Sequence, residues 1–241
     1  MLHKTNGIVL HTTKFNDKML LVHVLTEEFG RVTYGIAPGS SRKGSRKSAF
    51  FQPFSILEME VEHKAGRDIH RIKECKPRFP LTNIQFEPVK ISVSLFLAGF
   101  LSRTLKDRYP NKLLFDFVSD SIRILDLSTK GIANFHLVFL FKLTRFLGFY
   151  PNTEQASSDT CFDMMNGVFV SERPFHAHYL LPADTRVFQL LMRMNYENMH
   201  LFSFSRKDRV AVIERIIEYY RLHLTEFSAS DSLEILKELF D

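Results

Sequence analysis

A loop rich in basic residues carries the clearest candidate chemistry in this sequence. No acidic residue occurs between Arg31 and Leu57, and residues 39–48 in the middle of that stretch combine glycines and serines with four basic side chains. These are Arg42, Lys43, Arg46 and Lys47. Glycine and serine favour an irregular backbone, and guanidinium and ammonium groups donate to anionic oxygens. We predict that the loop binds a row of negative charges such as a phosphate backbone. A solvated hairpin loop is the alternative.

Two further lysines and two aromatic residues lie close to this loop or to the first predicted turn. Lys14 and Lys18 flank the first predicted hairpin and are candidates for the same anionic ligand. Phe50 and Phe51 directly follow the basic loop. Their rings could stack on bases, or they could anchor the next strand in a hydrophobic core, and we expect the core role for at least one of them.

The composition indicates a globular protein with a moderate positive charge. The chain has 241 residues, of which 45% are hydrophobic and 24% charged, with a formal net charge of +5. This balance permits a substantial core and suits a nucleic acid or an acidic partner. Two distant cysteines make no disulfide framework, the first residues do not resemble a signal peptide, and no apolar stretch reaches the ~20 residues of a membrane span. We therefore expect a cytoplasmic protein that is not in a membrane.

The elements that would position these residues change character near residue 80. Residues 1–80 contain five short apolar runs typical of strands and no long helical pattern, which is the size and strand count of an OB-like barrel. Pro77 and Pro80 mark a boundary. We predict a β + α protein, in which a five-stranded barrel (1–80) precedes an all-helical bundle (81–241) with an irregular insertion at about 151–182. The predicted helices are 88–107, 111–125, 132–147, 186–194, 208–225 and 233–240.

The sequence offers little support for catalysis. It contains no phosphate-binding glycine loop, no G-x-S-x-G elbow and no H-E-x-x-H metal motif. Glu58, Glu60 and Glu62 alternate along one predicted strand, and their mutual repulsion indicates solvent exposure rather than a catalytic pair. We predict that the protein is not an enzyme and needs no cofactor.

The order of these features resembles the RecO family of bacterial recombination mediators. The likeness extends over essentially the whole chain, and each segment alone is weakly specific. The segments that carry it are 7–10 (GIVL), 20–30, the basic loop 39–48, 52–54 (QPF), 141–152 and 219–240.

The resemblance implies a non-enzymatic DNA repair protein. Such proteins bind single- and double-stranded DNA through the barrel and anneal complementary strands. They also bind the acidic C-terminal tail of the single-strand-binding protein (SSB), and with RecR they help to load RecA onto SSB-coated strands. On this basis the basic loop, Lys14 and Lys18 are the expected DNA contacts, and the protein would associate with the nucleoid.

The resemblance also suggests a site for the acidic SSB tail on the central helix 132–147. Lys142 and Arg145 are the only cations there and lie among the apolar residues Phe139 and Phe146. A cationic rim beside an apolar pocket suits an acidic tail that ends in an aromatic residue. The alternative is that both cations only extend to solvent from a buried helix.

One feature departs from the family pattern. Many members carry a four-cysteine zinc site in the insertion. Here Cys161 is the only cysteine in that region, and Met164 occupies the position of the second cysteine of the C-x-x-C pair. A site of Cys161, His176 and His178 can be drawn, but it falls short of the four ligands of structural zinc. We predict no bound metal and expect three phenylalanines to stabilise the insertion: Phe162, Phe169 and Phe175.

Two other functions remain open at the level of the sequence. The chain could be a protein-binding adaptor that scaffolds a repair complex without binding DNA. It could also act on RNA, because a basic loop does not distinguish ribose from deoxyribose.

Overall fold

The computed structural model describes residues 1–37, 49–64, 66–105, 109–157 and 159–227. The chain divides into two compact units, Met1–Leu127 and Ser128–Asp241. The first unit thus includes helices in addition to the strands. The sequence-based boundary near residue 80 coincides with the change from strands to helices, and its standing as a domain boundary stays a prediction.

The first unit begins with a closed five-stranded barrel. Neighbouring strands are antiparallel except for β3 and β5, which are parallel, and the order around the barrel is β1-β2-β3-β5-β4. The predicted OB-like barrel followed by helices is therefore confirmed. The strands are β1 Leu2–Asn16, β2 Met19–Thr26, β3 Gly30–Ile36, β4 Ile56–Glu62 and β5 Ile69–Pro77.

Alternation of side chains along the strands builds the barrel core. On β2, Val22 and Val24 are fully buried, while His23 between them points outward and is half-buried. Phe51 is only 8% exposed and belongs to the barrel core, and Phe50 packs against that core. Both phenylalanines therefore contribute to the packing of the barrel.

Two helices complete the first unit, α1 (Pro88–Thr104) and α2 (Lys112–Leu127). The segment that leads into α1 is fastened to α2 by the buried Asp126 carboxylate. Its two oxygens accept hydrogen bonds from the backbone N–H groups of Thr82, Asn83 and Ile84 at 3.1, 2.8 and 2.8 Å. The buried Lys90 ammonium donates to the Asp126 carbonyl at 2.9 Å, which adds a second link between the helices.

The second unit combines helices with a small sheet. The helices are α3 (Ile132–Phe146), α4 (Pro182–Arg193) and α5 (Arg206–His223). The sheet has the order β7-β6-β8, with β6 Cys161–Asp163, β7 Val168–Val170 and β8 Tyr179–Leu180. Among the residues that the structure describes, no helix is long and apolar enough to cross a membrane.

Aromatic packing holds the predicted insertion in place. The Phe162 ring lies 4.9 Å from Phe169, 5.1 Å from Phe188 and 5.6 Å from Tyr219, between ring centroids. The prediction that Phe162 and Phe169 pack here is confirmed. The prediction for Phe175 is wrong, because its side chain lies in a turn and is fully exposed.

Two helices begin earlier than their periodicity predicts. α4 starts at Pro182 because proline is well suited to the first turn, where its missing N–H costs nothing. α5 starts at Arg206 because Ser205 and Asp208 form a reciprocal capping box. The predicted last helix, 233–240, lies outside the described residues.

Candidate nucleic-acid interface

The four predicted DNA contacts of the basic loop, Arg42, Lys43, Arg46 and Lys47, lie outside the described residues. The residues that follow the loop are firmly attached to β1. The Thr12 hydroxyl donates to the Phe51 carbonyl at 3.1 Å, and the Phe54 N–H donates to the Val9 carbonyl at 2.8 Å. Phe54 has a left-handed φ of 67°, which is unfavourable for a bulky residue and is held here by its fully packed ring. The chain thus returns to the barrel at a fixed point.

Lys14 and Lys18 lie at the end of the barrel from which the basic loop departs. Lys14 pairs with Leu20 across β1 and β2, and Leu20 pairs with Ile36, the last residue of β3. Both lysines are exposed, and the Lys14 ammonium lies 2.7 Å from the exposed Asp17 carboxylate. Such an exposed ion pair is weak, so the Lys14 ammonium can readily exchange the Asp17 carboxylate for a phosphate. The strand register therefore places Lys14 beside the end of β3, and Lys18 lies in the turn that joins β1 and β2.

The outward face of β4 and β5 has balanced charges. The Glu58 carboxylate lies 2.7 Å from the Lys76 ammonium, and Glu62 lies 3.1 Å from Lys73. Hydrogen bonds from these lysines are the main cause that lowers the pKa of both carboxyls. Glu58, Glu60 and Glu62 share this face, as their alternation predicted, and two of them serve in ion pairs. This face is therefore less suited to a polyanion than the hairpin end.

Two outward histidines, His11 on β1 and His23 on β2, are packed and uncharged at neutral pH. The rings of His11 and His23 stack with centroids 4.1 Å apart, and the Ser102 hydroxyl lies 2.8 Å from His11 Nδ1. Burial, assisted by His23, Arg31 and Arg103, lowers the pKa of His11 to about 4. His11 therefore joins β1 to the end of α1 and carries no charge for phosphate.

In the second unit, the two cations predicted for the SSB tail lie over tyrosine rings. The Lys142 ammonium is 5.1 Å from the Tyr196 centroid, and the Arg145 guanidinium is 4.5 Å from that of Tyr150. Burial is the main cause that lowers the pKa of Lys142, with a contribution from nearby Arg145. Sequence reasoning missed both tyrosines, since Tyr196 comes from a distant part of the chain and cation–π contacts leave no local pattern.

The two phenylalanines predicted beside these cations differ in exposure. Phe139 has no exposed surface and lies in the core of the second unit. Phe146 is half-buried. Phe139 is therefore placed to support α3, whereas Phe146 and the two tyrosines keep accessible surface.

The three residues of the insertion that could be drawn as a metal site have other surroundings. Cys161 is buried, His176 Nε2 lies 3.2 Å from Asp163 Oδ1, and His178 Nδ1 lies 3.4 Å from the Glu218 carboxylate. Within the described part of the chain, no group of three or more histidine, cysteine or acidic residues is arranged to hold a metal. Instead the Asp163 carboxylate accepts from the backbone N–H of Met165 at 2.9 Å and thereby closes the β6–β7 turn.

The Asp163 carboxyl stays ionised in this turn. Its burial would raise its pKa, but hydrogen bonds from Asn166 and His176 outweigh burial and lower it. The turn is thus held by a charged acceptor.

Known proteins match the chain over its whole length. The family described as recombination protein O, N terminal, matches residues 1–80, and its C-terminal counterpart matches residues 85–231. This chain belongs to the RecO family. A DNA repair protein RecO from Azobacteroides pseudotrichonymphae is 46% identical over 241 residues, all of both chains. That of Phocaeicola vulgatus is 45% identical over 240 residues, again with full coverage, and that of Flavobacterium psychrophilum is 33% identical over 98% of both chains.

Membership of the RecO family supports a role in DNA repair and recombination. The resemblance predicted from the sequence is confirmed. Lys14 and Lys18 are exposed, and their role as DNA contacts, like that of the basic loop, stays a prediction.

Proposed function

We propose that this protein is a non-enzymatic recombination mediator that binds single- and double-stranded DNA and anneals complementary strands. In this proposal it also acts with RecR to load RecA onto SSB-coated single strands. The observation that carries the proposal is the cationic end of the barrel, where Lys14 is in register with Leu20 and Ile36 at the end of β3, and Lys18 lies in the adjoining β1–β2 turn. The RecO family supports the setting in DNA repair.

The charges explain how one surface could serve both kinds of DNA. Six lysines and arginines, four from the loop and two from the hairpin, offer contacts to phosphate and none to a particular base. Backbone contacts of this kind bind DNA without regard to sequence and release counterions. Annealing needs both properties, because two strands of any sequence must be brought together while their mutual repulsion is screened.

A strand-annealing assay tests this proposal. The loop variant carries R42E, K43E, R46E and K47E, and a matched control carries R186E, R193E, R206E and K207E on exposed positions of the second unit. Four reversals of two charges each take the formal net charge from +5 to −3 in both proteins. We expect the loop variant to lose annealing and the control to retain it.

The outcomes separate the alternatives. Equal loss of annealing in both variants would show that net charge is the cause, and it would contradict the assignment of the DNA contacts to the basic loop. An intact protein that binds SSB or RecR but neither binds nor anneals DNA would be the protein-binding adaptor.

For the SSB tail we propose the surface of Lys142, Arg145 and the tyrosine rings beneath them. Acidic side chains and a terminal carboxylate would pair with the cations, and an aromatic residue would pack near Phe146 and the two tyrosines. K142A combined with R145A should weaken binding of a labelled SSB C-terminal peptide about tenfold, which is about 1.4 kcal/mol. R215A and R221A together, on the exposed side of α5, serve as the control and should leave peptide affinity unchanged.

A further inference from the structure

A groove opens in the first unit where the barrel seam between β3 and β5 is short. These two strands pair at three positions only, from Thr33–Ile69 to Gly35–Arg71. Arg31, earlier on β3, lies beyond this pairing and lines the groove together with residues of the β4–β5 connection. The groove has a volume of about 330 Å³. This is at the lower end of small-molecule sites, roughly 300–1,000 Å³, so the groove suits one small planar group.

Aromatic rings form much of the groove. His63 and His70 stack with centroids 4.3 Å apart at an interplanar angle of 21°, and Phe29 lies 4.3 Å from His63. The hydroxyl of the buried Tyr34 is 3.0 Å from His63 Nε2 and fixes the position of that ring from inside the barrel. The rings come from different strands and turns but are held in one arrangement before any ligand binds.

Two of the histidine rings that line the groove, His63 and His23, carry no charge at neutral pH. Burial lowers the pKa of His63 to about 4, with smaller contributions from His70, His3 and the N-terminal amine. Burial, followed by the charge of Arg31, also lowers the pKa of His23, which lines the other side of the groove. A neutral imidazole offers a flat face and one hydrogen-bond donor or acceptor at its edge.

The charged groups of the groove argue against phosphate as its ligand. The Arg31 guanidinium already donates to the carbonyls of Ser102 and Leu105, at 2.8 and 3.1 Å. Asp68 also lines the groove, and its carboxylate repels an anion but accepts from an amino group. The aromatic rings, the Asp68 carboxylate and the Thr33 hydroxyl, which lies 3.1 Å from His23 Nδ1, instead match a nucleobase, which has a π face and polar edges.

We propose that this groove binds one unpaired nucleobase of a single strand whose phosphates contact the cationic end of the barrel. The inference rests on the proposed DNA-binding function and adds a contact that the basic loop does not supply. The base would stack on the histidine rings and direct its polar edge toward Asp68 and Thr33. The groove would then favour single strands over duplexes, since a paired base cannot enter it.

Histidine side-chain NMR on the intact protein tests the inference without a mutation. A short single-stranded oligonucleotide should shift the imidazole signals of His23, His63 and His70 and leave those of His178 and His200, in the second unit, unchanged. An abasic oligonucleotide of the same length keeps the phosphates and lacks the bases. It should bind more weakly and leave the groove histidines unshifted.

Substitutions give a second readout. H70A should weaken binding of the normal oligonucleotide about tenfold and leave that of the abasic strand unchanged, whereas H70F should recover most of the affinity because it keeps a ring. H178A is the matched control for loss of a histidine and should bind both strands as the wild type does.

Three results would overturn the inference. Equal histidine shifts with both oligonucleotides would make phosphate the ligand. Binding of DNA with no shift at the groove would leave the proposed function standing and place the bases elsewhere. A wild-type protein that binds no single strand would overturn the proposed function together with the groove.

Discussion

The barrel and the second unit differ in where their polar side chains point. In the barrel, aliphatic residues such as Val22 and Val24 fill the interior, while histidines and ion pairs lie on the outward faces. In the second unit, two buried tyrosine hydroxyls donate hydrogen bonds to backbone carbonyls. The Tyr219 and Tyr220 hydroxyls donate to the carbonyls of Phe149 and Leu140, both at 2.7 Å.

This difference indicates that the outer face of the barrel can bind a ligand, whereas the buried polar groups of the second unit stabilise its fold. Outward polar groups of the barrel can exchange a neighbour or water for phosphate or a base at little cost. Buried hydroxyls in the second unit already have their partners, so breaking them would cost stability without gaining a contact. Substitutions should therefore affect stability most in the second unit and DNA binding most in the barrel.

The largest expected effect on stability is at the aromatic centre of the second unit. F162A removes a fully buried ring with three aromatic neighbours and should lower the free energy of unfolding by about 3–5 kcal/mol. F175A, at a fully exposed position, should change it by no more than about 0.5 kcal/mol. Urea unfolding followed by circular dichroism measures both. Equal effects would contradict the packing described for the insertion.

In the first unit, the largest single polar contribution should come from Asp126. D126A leaves three backbone N–H donors without their acceptor and should cost about 1–3 kcal/mol. D120A on the exposed side of the same helix is the control. The same denaturation experiment applies, and a change as small as that of D120A would show that the 81–87 segment is held by other contacts.

The buried His136 should have a smaller effect, which is on how the free energy of unfolding depends on pH. Burial lowers the pKa of His136, in the second unit, to about 4, assisted by Arg209. Its unfolded pKa is about 6.5, so both states are neutral above that value and the unfolded state takes up the proton first as the pH falls. Stability is thus lost between about pH 6.5 and pH 4, and His136 accounts for about 1.4 kcal/mol of that loss near pH 5.5.

The variant H136Q should remove the contribution of His136 to the loss of stability at acidic pH. The unfolding free energy should then depend less steeply on pH. Chemical denaturation of wild type and variant at a series of pH values is the measurement. Parallel curves would mean that the pKa of His136 is the same in the folded and unfolded states, and would contradict the effect of its burial.

Local patterns predicted most of the fold. The alternation of Val22, His23 and Val24 is enough to indicate a strand with one buried face, and five such strands indicate a small barrel. The exposed position of Phe175 could not be foreseen, because an aromatic residue in a short turn has no periodicity. The start of α4 at Pro182 was hidden by the irregular segment before it.

The candidate sites were less predictable because they depend on register. The basic loop is visible in the sequence as a run of cations, but its relation to Lys14 and Lys18 follows only from the pairing of β1, β2 and β3. His23, His63 and His70 are far apart in the chain and meet only when the barrel closes. Tyr150 and Tyr196 likewise reach Lys142 and Arg145 only through the packing of the second unit.

The central claim is that the cationic end of the barrel binds the DNA backbone, and a salt series of fluorescence-anisotropy titrations with labelled single-stranded DNA tests it most directly. If the four loop cations and the two hairpin lysines each neutralise a phosphate, log affinity should fall with log salt at a slope of about −4. The loop variant R42E/K43E/R46E/K47E should bind far more weakly, and its slope should be shallower, at about −1. Equal affinities and equal slopes for the two proteins would contradict the account.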